Sequence, residues 1–302
     1  MLLLGQAPMH LRVMSHDDIA AALRLCRLAD WNQIAADWRF FLASSPGGCR
    51  VALDHMGDVI GTVATIAYGS AFSWIGMVLV DPEHRRTGVG TRLLHEALEL
   101  LGDETTARLD ATPAGHHVYT PLGFCDEYGL QRMVRLKPDD LSHSFEATAD
   151  HRSLGSGGQV DSLRPLSDAD FAAIAAADRE AFGGDRRALL NRLRSEAPEY
   201  AWAIGAAGVD GYAFGRHGHA FEQIGPVVAI DDARARRLVS ACMSAHRERS
   251  YVIDVPRREE WIAWLQSEGF RLQRPFVRMR RGEQRYRDCV DRLFAIAGPE
   301  FG

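Results

Sequence analysis

The residues best suited to chemistry lie in one stretch, Val78-Leu79-Val80-Asp81-Pro-Glu-His-Arg85-Arg86-Thr87-Gly88-Val89-Gly90-Thr91-Arg92. An apolar run ends at Asp81-Pro82, a tight loop follows, and a helical pattern opens among the glycines. The first N–H groups of a helix lack intrahelical acceptors and sit at the positive end of its dipole. Two glycines let the backbone close on an anion, and Arg85 and Arg86 add charge-assisted bonds, so a diphosphate suits this pattern. It is neither a Walker loop, which needs Gly-Lys-Ser/Thr, nor the dinucleotide fingerprint, which needs a third glycine and a later acidic residue. By itself the pattern also suits a helix start with packing glycines and solvated arginines.

The periodicity around this stretch predicts the elements that would position it. The first half reads as strand 11–14, helices 19–29 and 32–43, strands 49–54, 59–68 and 72–80, helix 89–101, strand 107–111, a short helix ending near Tyr119, and strands 124–128 and 130–136. The run 72–80 is almost wholly apolar, as a central strand should be. Residues 139–162 are polar and rich in Gly and Ser, which is linker chemistry. The second half then repeats the order: strand 163–166, helices 168–177 and 186–195, strands 200–204, 211–216 and 223–230, helix 232–247, strand 251–255, helix 258–267 and strand 270–279. Residues repeat too. Ile75-Gly76 answers Ile224-Gly225, Leu109-Asp110 answers Ile253-Asp254, and Gly123-Phe124 answers Gly269-Phe270. The reading is a duplicated α/β domain, 1–138 and 163–282, with a tail at 283–302. Each copy is a mixed, mostly antiparallel twisted sheet with helices on both faces.

Arg85-x-x-Gly88-x-Gly90 after a strand ending Val-Asp-Pro, with Tyr119-Thr-Pro-Leu-Gly123-Phe124 downstream, resembles the acetyl-CoA-binding signature of the GCN5-related N-acetyltransferases (GNAT). Trp31-Asn-Gln33, Trp74-Ile-Gly76, Asp178-Arg-Glu-Ala-Phe182, Gln223-Ile-Gly-Pro226, Arg274-Pro-Phe276 and Phe294-Ala-Ile-Ala-Gly-Pro-Glu300 are similar to a bacterial tandem-GNAT subfamily. The resemblance implies an enzyme moving an acetyl group from acetyl-CoA to a primary amine, here of a small molecule, by direct attack in a ternary complex. Backbone groups of Val78, Leu79 and Val80 would pair with the pantetheine arm. Arg85, Arg86, Thr87, Gly88, Val89, Gly90 and Thr91 would hold the diphosphate. Tyr119 would protonate the departing thiolate, which a phenol of pKa ~10 can do for a thiol of pKa ~8.5; the alternative is a helix-end aromatic that only caps the core. Pro121 stands where a charged residue is usual and should sharpen the helix end. Trp31, Gln33 and Trp38 fall in the region that forms acceptor pockets in relatives, or serve packing. No acidic residue lies on strand 72–80, so the general base stays open among Asp37, Asp110, His116, His117, Glu127 and a water chain.

The second copy lacks both devices. Its loop, Asp231-Asp232-Ala-Arg234-Ala-Arg236-Arg237, has no glycine, and Leu265 stands in the position of Tyr119. One acetyl-CoA per chain, in the first half, is the expectation. The rival reading is a non-catalytic acyl-CoA sensor.

Composition removes other classes. Of 302 residues 46% are apolar and 25% charged, ordinary for a folded domain pair. The first 160 residues hold 13 basic against 19 acidic side chains and the rest 22 against 21, which leaves no basic excess for nucleic acid. No run of ~18 apolar residues exists to span a membrane, and Met1-Leu-Leu-Leu4 is too short for a secretory signal. The five scattered cysteines read as reduced thiols of a cytoplasmic protein. Metal is not expected: His116-His117 are adjacent, and His217-Gly-His219 has no carboxylate cluster in view. Gly155-Ser-Gly-Gly158 lacks the GxSxG spacing of a nucleophile elbow. Oligomeric state, monomer or homodimer, is left open.

Overall fold

The computed structural model describes residues 9–137, 162–206 and 208–302; the expected linker up to residue 161, with its glycine run at 155–158, lies outside the described residues. The first half comprises β1 (His10–Val13), α1 (Ile19–Leu28), α2 (Ala35–Ser44), β2 (Cys49–Leu53), β3 (Val59–Tyr68), β4 (Phe72–Val80), α3 (Val89–Leu101), β5 (Ala107–Ala111), α4 (Pro113–Tyr119) and β6 (Cys125–Arg135). The second repeats that order with β7 (Ser162–Pro165), α5 (Asp168–Phe182), α6 (Arg187–Glu196), β8 (Trp202–Gly205), β9 (Gly211–Arg216), β10 (Glu222–Ala229), α7 (Asp232–Ala245), β11 (Tyr251–Pro256), α8 (Glu259–Ser267) and β12 (Arg271–Arg281). The tail adds β13 (Leu293–Ala295).

Two expected boundaries move for physical reasons. The pair of strands expected at 124–128 and 130–136 is one strand, β6. Glu127 bulges out of its ladder with β12, and Gly129 keeps its place in register. Helix α5 runs on to Phe182 because Asp178, a polar interruption of the apolar stripe, is buried against Arg186 at 2.9 Å and so occupies a core position.

The 13 strands among the described residues form one sheet, in the order β1-β2-β3-β4-β5-β12-β6-β11-β10-β9-β8-β7, with β13 on β10. Each half lends its last strand to the other: β12 lies antiparallel between β5 and β6, and β6 lies against β11. The aspartates of the repeated pair, Asp110 and Asp254, lock this exchange. Arg278 of β12 makes two bonds to Asp110 of β5, at 2.8 and 2.9 Å. Arg132 of β6 makes two bonds to Asp254 of β11, both at 2.8 Å. All four side chains are buried, and bidentate geometry is what offsets their desolvation.

One face of the sheet shares a core with α1, α2, α5, α6 and the tail. The other carries α3 over the first half and α7 with α8 over the second. No described helix is long and apolar enough to cross a membrane.

Candidate functional site

Strand β4 runs parallel to β5 for only two residue pairs, Ser73–Ala107 and Trp74–Arg108, and then parts from it. A bulge in the β3–β4 ladder accompanies the divergence. Met77 takes a left-handed φ of 55°, and its carbonyl accepts from Thr62 Oγ1 at 2.8 Å. Such backbone is uncommon outside glycine and persists where surrounding bonds hold it. Beyond Trp74, the β5-facing edge of β4 has no strand partner among the described residues. A cleft of about 710 Å³ fills the parting, and Val78, Leu79 and Val80 line it.

Asp81 anchors the loop beyond: its carboxylate accepts from Glu83 N at 3.1 Å and from Arg24 at 2.6 Å. Arg86 and Gly88 take left-handed φ values of 64° and 90°, and Arg92 N bonding to Gly88 O at 2.9 Å begins the helical ladder of α3. The N–H groups before Arg92 therefore have no intrahelical acceptor. Arg85 and Gly90 line the cleft; Arg86, Thr87, Gly88, Val89 and Thr91 stand in the same loop and first turn, outside the lining. A Cβ on Gly90 would meet only Val80 Cγ2, at 3.4 Å, so the backbone there approaches open space. An unpaired strand edge, a positive helix end and an arginine around one cleft fit an elongated thiol ester with a diphosphate.

Tyr119 ends α4, which starts at a Thr112 cap accepting from Gly115 N at 3.1 Å. Its ring packs 5.9 Å from Phe124, and a Cβ on Gly115 would strike it at 2.8 Å, which explains the glycine. Pro121 follows within a tight turn, 120–122, that ends at the left-handed Gly123. Tyr119 lines the cleft, and burial pushes its pKa up to about 12, so the phenol keeps its proton at neutral pH.

The base candidates separate. Only Asp110 of the five lines the cleft, and Arg278 grips it. Asp37 is held by Arg192 and Arg216, and Glu127 by Arg108 and Tyr286. His116 bonds Asp126 at 2.8 Å, and its ring is edge-on to His117. Trp31 and Gln33 line the cleft, whereas Trp38 is a fully buried core residue beside Phe41.

The sequence reading missed Asp30, Arg132, Arg274 and Phe276 on the cleft wall, with Pro299 and Glu300 of the tail. Arg274-Pro-Phe276 and the tail to Glu300 stood out as motifs in sequence, Asp30 and Arg132 did not, and the place of Arg132, Arg274 and Phe276 on the cleft wall follows from the strand exchange, which local periodicity does not encode. His217 also needs correction. It does have carboxylates beside it, Glu222 at 2.8 Å and Glu199 at 3.4 Å. Among the described residues no group of three or more His, Cys, Asp or Glu is arranged to hold a metal ion.

The corresponding region of the second half differs. Strands β10 and β11 pair in parallel from Glu222–Tyr251 to Ile224–Ile253 and part, but β13 fills the gap, pairing Ala295 with Val227 and Leu293 with Val228. The Asp231 carboxylate caps α7, accepting from Arg234 N at 2.9 Å, and Leu265 is fully buried.

Comparison with known proteins agrees with this duplication. The "Acetyltransferase (GNAT) family" model matches residues 17–124, and the "Acetyltransferase (GNAT) domain" model matches residues 174–295. The chain is 27% identical over 244 residues to the "Uncharacterized N-acetyltransferase YitH" of Bacillus subtilis (strain 168), covering 80% of each. A crystal structure of a Pyrococcus horikoshii protein superposes with a TM-score of 0.75 at 21% identity, over 100% of this chain and 98% of that one. A "Tandem GNAT protein from the clavulanic acid biosynthesis pathway" superposes with a TM-score of 0.60 at 16% identity, over 90% and 98%.

Proposed function

The chain belongs to the GNAT acetyltransferases, with two such domains in tandem, and on that premise we propose that it transfers acetyl from acetyl-CoA to the primary amine of a small molecule. The observation that carries this reading is the shared cleft: the unpaired edge of β4, the first turn of α3 and Tyr119 all border it. Bound acetyl-CoA would supply an activated thioester. The β4 edge from Val78 to Val80 then holds the pantetheine arm by backbone bonds. Arg85 and the N–H groups around Gly90 take the diphosphate at the helix's positive end. Tyr119 keeps a proton for the sulfur as it leaves.

The amine must also shed a proton. Of the carboxylates on the cleft wall, Asp110 is paired with Arg278 and Glu300 with Arg216, while Asp30 has no ion pair among the described residues. Asp30 takes that proton, directly or through water.

Thiol release from acetyl-CoA with a panel of small amines tests the reading. Amine-dependent release, faster than hydrolysis alone, supports transfer. Calorimetric binding of acetyl-CoA without release for any amine would make the protein a sensor instead.

A further inference from the structure

Arg274 of β12 stands directly across the ladder from Arg132 of β6, and like charges so placed repel. Arg132 is neutralised by Asp254. Arg274 has no ion pair or hydrogen bond among the described residues, and its Nε is buried without a partner. Its guanidinium lies over Phe276, 5.4 Å from the ring centroid, on the cleft wall. Burial, and then Arg132, push its pKa below the ordinary arginine value. A half-buried cation beside another cation is unfavourable unless an anion meets it.

Two acceptors lining the same cleft are also without a partner among the described residues. Gln33 is 2% exposed, and its Oε1 is buried with no donor. The Asp30 carboxylate sits near enough to Arg274 to favour its charge, yet forms no pair with it. Among the described residues the cleft therefore offers an unpaired cation and two unpaired acceptors.

We propose that the acceptor is an amino acid, its carboxylate held by Arg274 and its amine by Asp30 and Gln33 Oε1. The proposal rests on the acetyl-transfer reading and names its substrate class. A single unpaired guanidinium matches a monoanion and presents a two-pronged donor to a carboxylate. The amine nitrogen bonds to the acetyl carbon and the carbon–sulfur bond breaks. The amine's proton goes to Asp30 or water, the sulfur takes one from Tyr119, and the products are an N-acetylamino acid and CoA.

The test compares amino acids with amines lacking only the carboxylate, in the wild type, Arg274→Gln and Arg274→Lys. The wild type should prefer the amino acid by about tenfold or more in kcat/KM, because a buried donor left unpaired rejects the truncated substrate. Arg274→Gln should erase that preference mainly through KM, Arg274→Lys should keep part of it, and acetyl-CoA affinity should not change in either. Arg274→Gln should also raise Tm by about 1–3 °C, since it removes a charge that burial and Arg132 disfavour more than the nearby carboxylates favour it; a merely structural arginine would lower it. Calorimetry with N-acetylamino acids against N-acetylamines, in the presence of CoA, reads the same subsite without turnover. Carboxylate-dependent binding lost in Arg274→Gln, in a protein that acetylates nothing, would uphold this subsite and sink the transfer reading. Equal handling of both ligand series by the wild type, or an Arg274→Gln that weakens acetyl-CoA instead, overturns the proposal.

Discussion

Strands β4 and β10 begin alike, each running parallel to its neighbour for two or three pairs before diverging. In the first half the divergence opens the cleft. In the second, β13 enters it and bonds to β10, with Ile296 N donating to Asp254 O at 2.9 Å and Trp261 Nε1 to Phe294 O at 3.0 Å. The tail crosses both divergence points. A Cβ on Gly225 would strike Ile296 O, and one on Gly76 would meet Glu300 O at 2.7 Å, so both glycines of the repeated Ile-Gly pair admit the same passing chain. Buried backbone groups require partners. The second half satisfies them with its own chain, whereas the β4 edge of the first borders the cleft, where the proposed acetyl-CoA would meet it; on that reading one fold yields a site only where its edge is left free.

The largest difference between the halves should appear at Tyr119 and its counterpart Leu265. Tyr119→Phe should lower turnover by about 10²–10⁴-fold while leaving acetyl-CoA affinity unchanged, because the hydroxyl acts on charge that develops as the thiolate leaves. Leu265→Met, close in volume at a buried site, should leave turnover within about twofold. A Tyr119→Phe enzyme losing less than threefold, with chemistry rate-limiting, would make the ring a packing element.

The reciprocal ion pairs should matter equally in both halves. Removing one partner of a buried pair leaves an uncompensated charge, so Asp110→Ala and Asp254→Ala should each cost about 3–5 kcal/mol in denaturant unfolding. Replacing both partners, as in Arg132→Met with Asp254→Leu, should cost less than Asp254→Ala alone. If Asp254→Ala unfolds only the second half, leaving the first half's transition in place, the shared sheet is not the cooperative unit its register implies.

Gly90→Glu puts bulk and negative charge at the first turn of α3. Lost bonds to a charged group cost ~1.5–3 kcal/mol each, so acetyl-CoA should bind at least tenfold more weakly. Gly88, at a φ of 90°, strains any side chain and is the poorer probe. Titration of the wild type should give one acetyl-CoA per chain. A second equivalent surviving Gly90→Glu would mean that β13 leaves its gap.

Much of this was legible as local pattern. The element order, the glycine loop, Tyr119 and the missing counterparts at 231–237 and Leu265 are properties of short windows, and periodicity reports those. The strand exchange was not legible, because β12 on β5 and β12 on β6 have the same alternation and differ only in partner. For the same reason Asp110 read as a base candidate, and Arg274 as a motif without a place. The tail showed as an apolar patch, and three residues of β13 are too few to declare a strand.

The smallest effect distinguishes a buried Tyr119 from a solvated one. Its pKa is raised from 10 to about 12 because burial penalises the phenolate. A raised pKa favours the protonated form, so the acid stays available as pH rises and is lost only as pH climbs towards 12. An unshifted phenol would be half ionised at pH 10, and turnover would have halved there. With saturating substrates and chemistry rate-limiting, the alkaline limb attributable to Tyr119 should therefore cost well under twofold between pH 8 and 10. Tyr119→Phe supplies the baseline, since its profile carries every other ionisation. If the ratio of wild-type to variant turnover halves by pH 10, Tyr119 is open to water, and the cleft that sets the first half apart from the plugged second half is less enclosed than its walls imply.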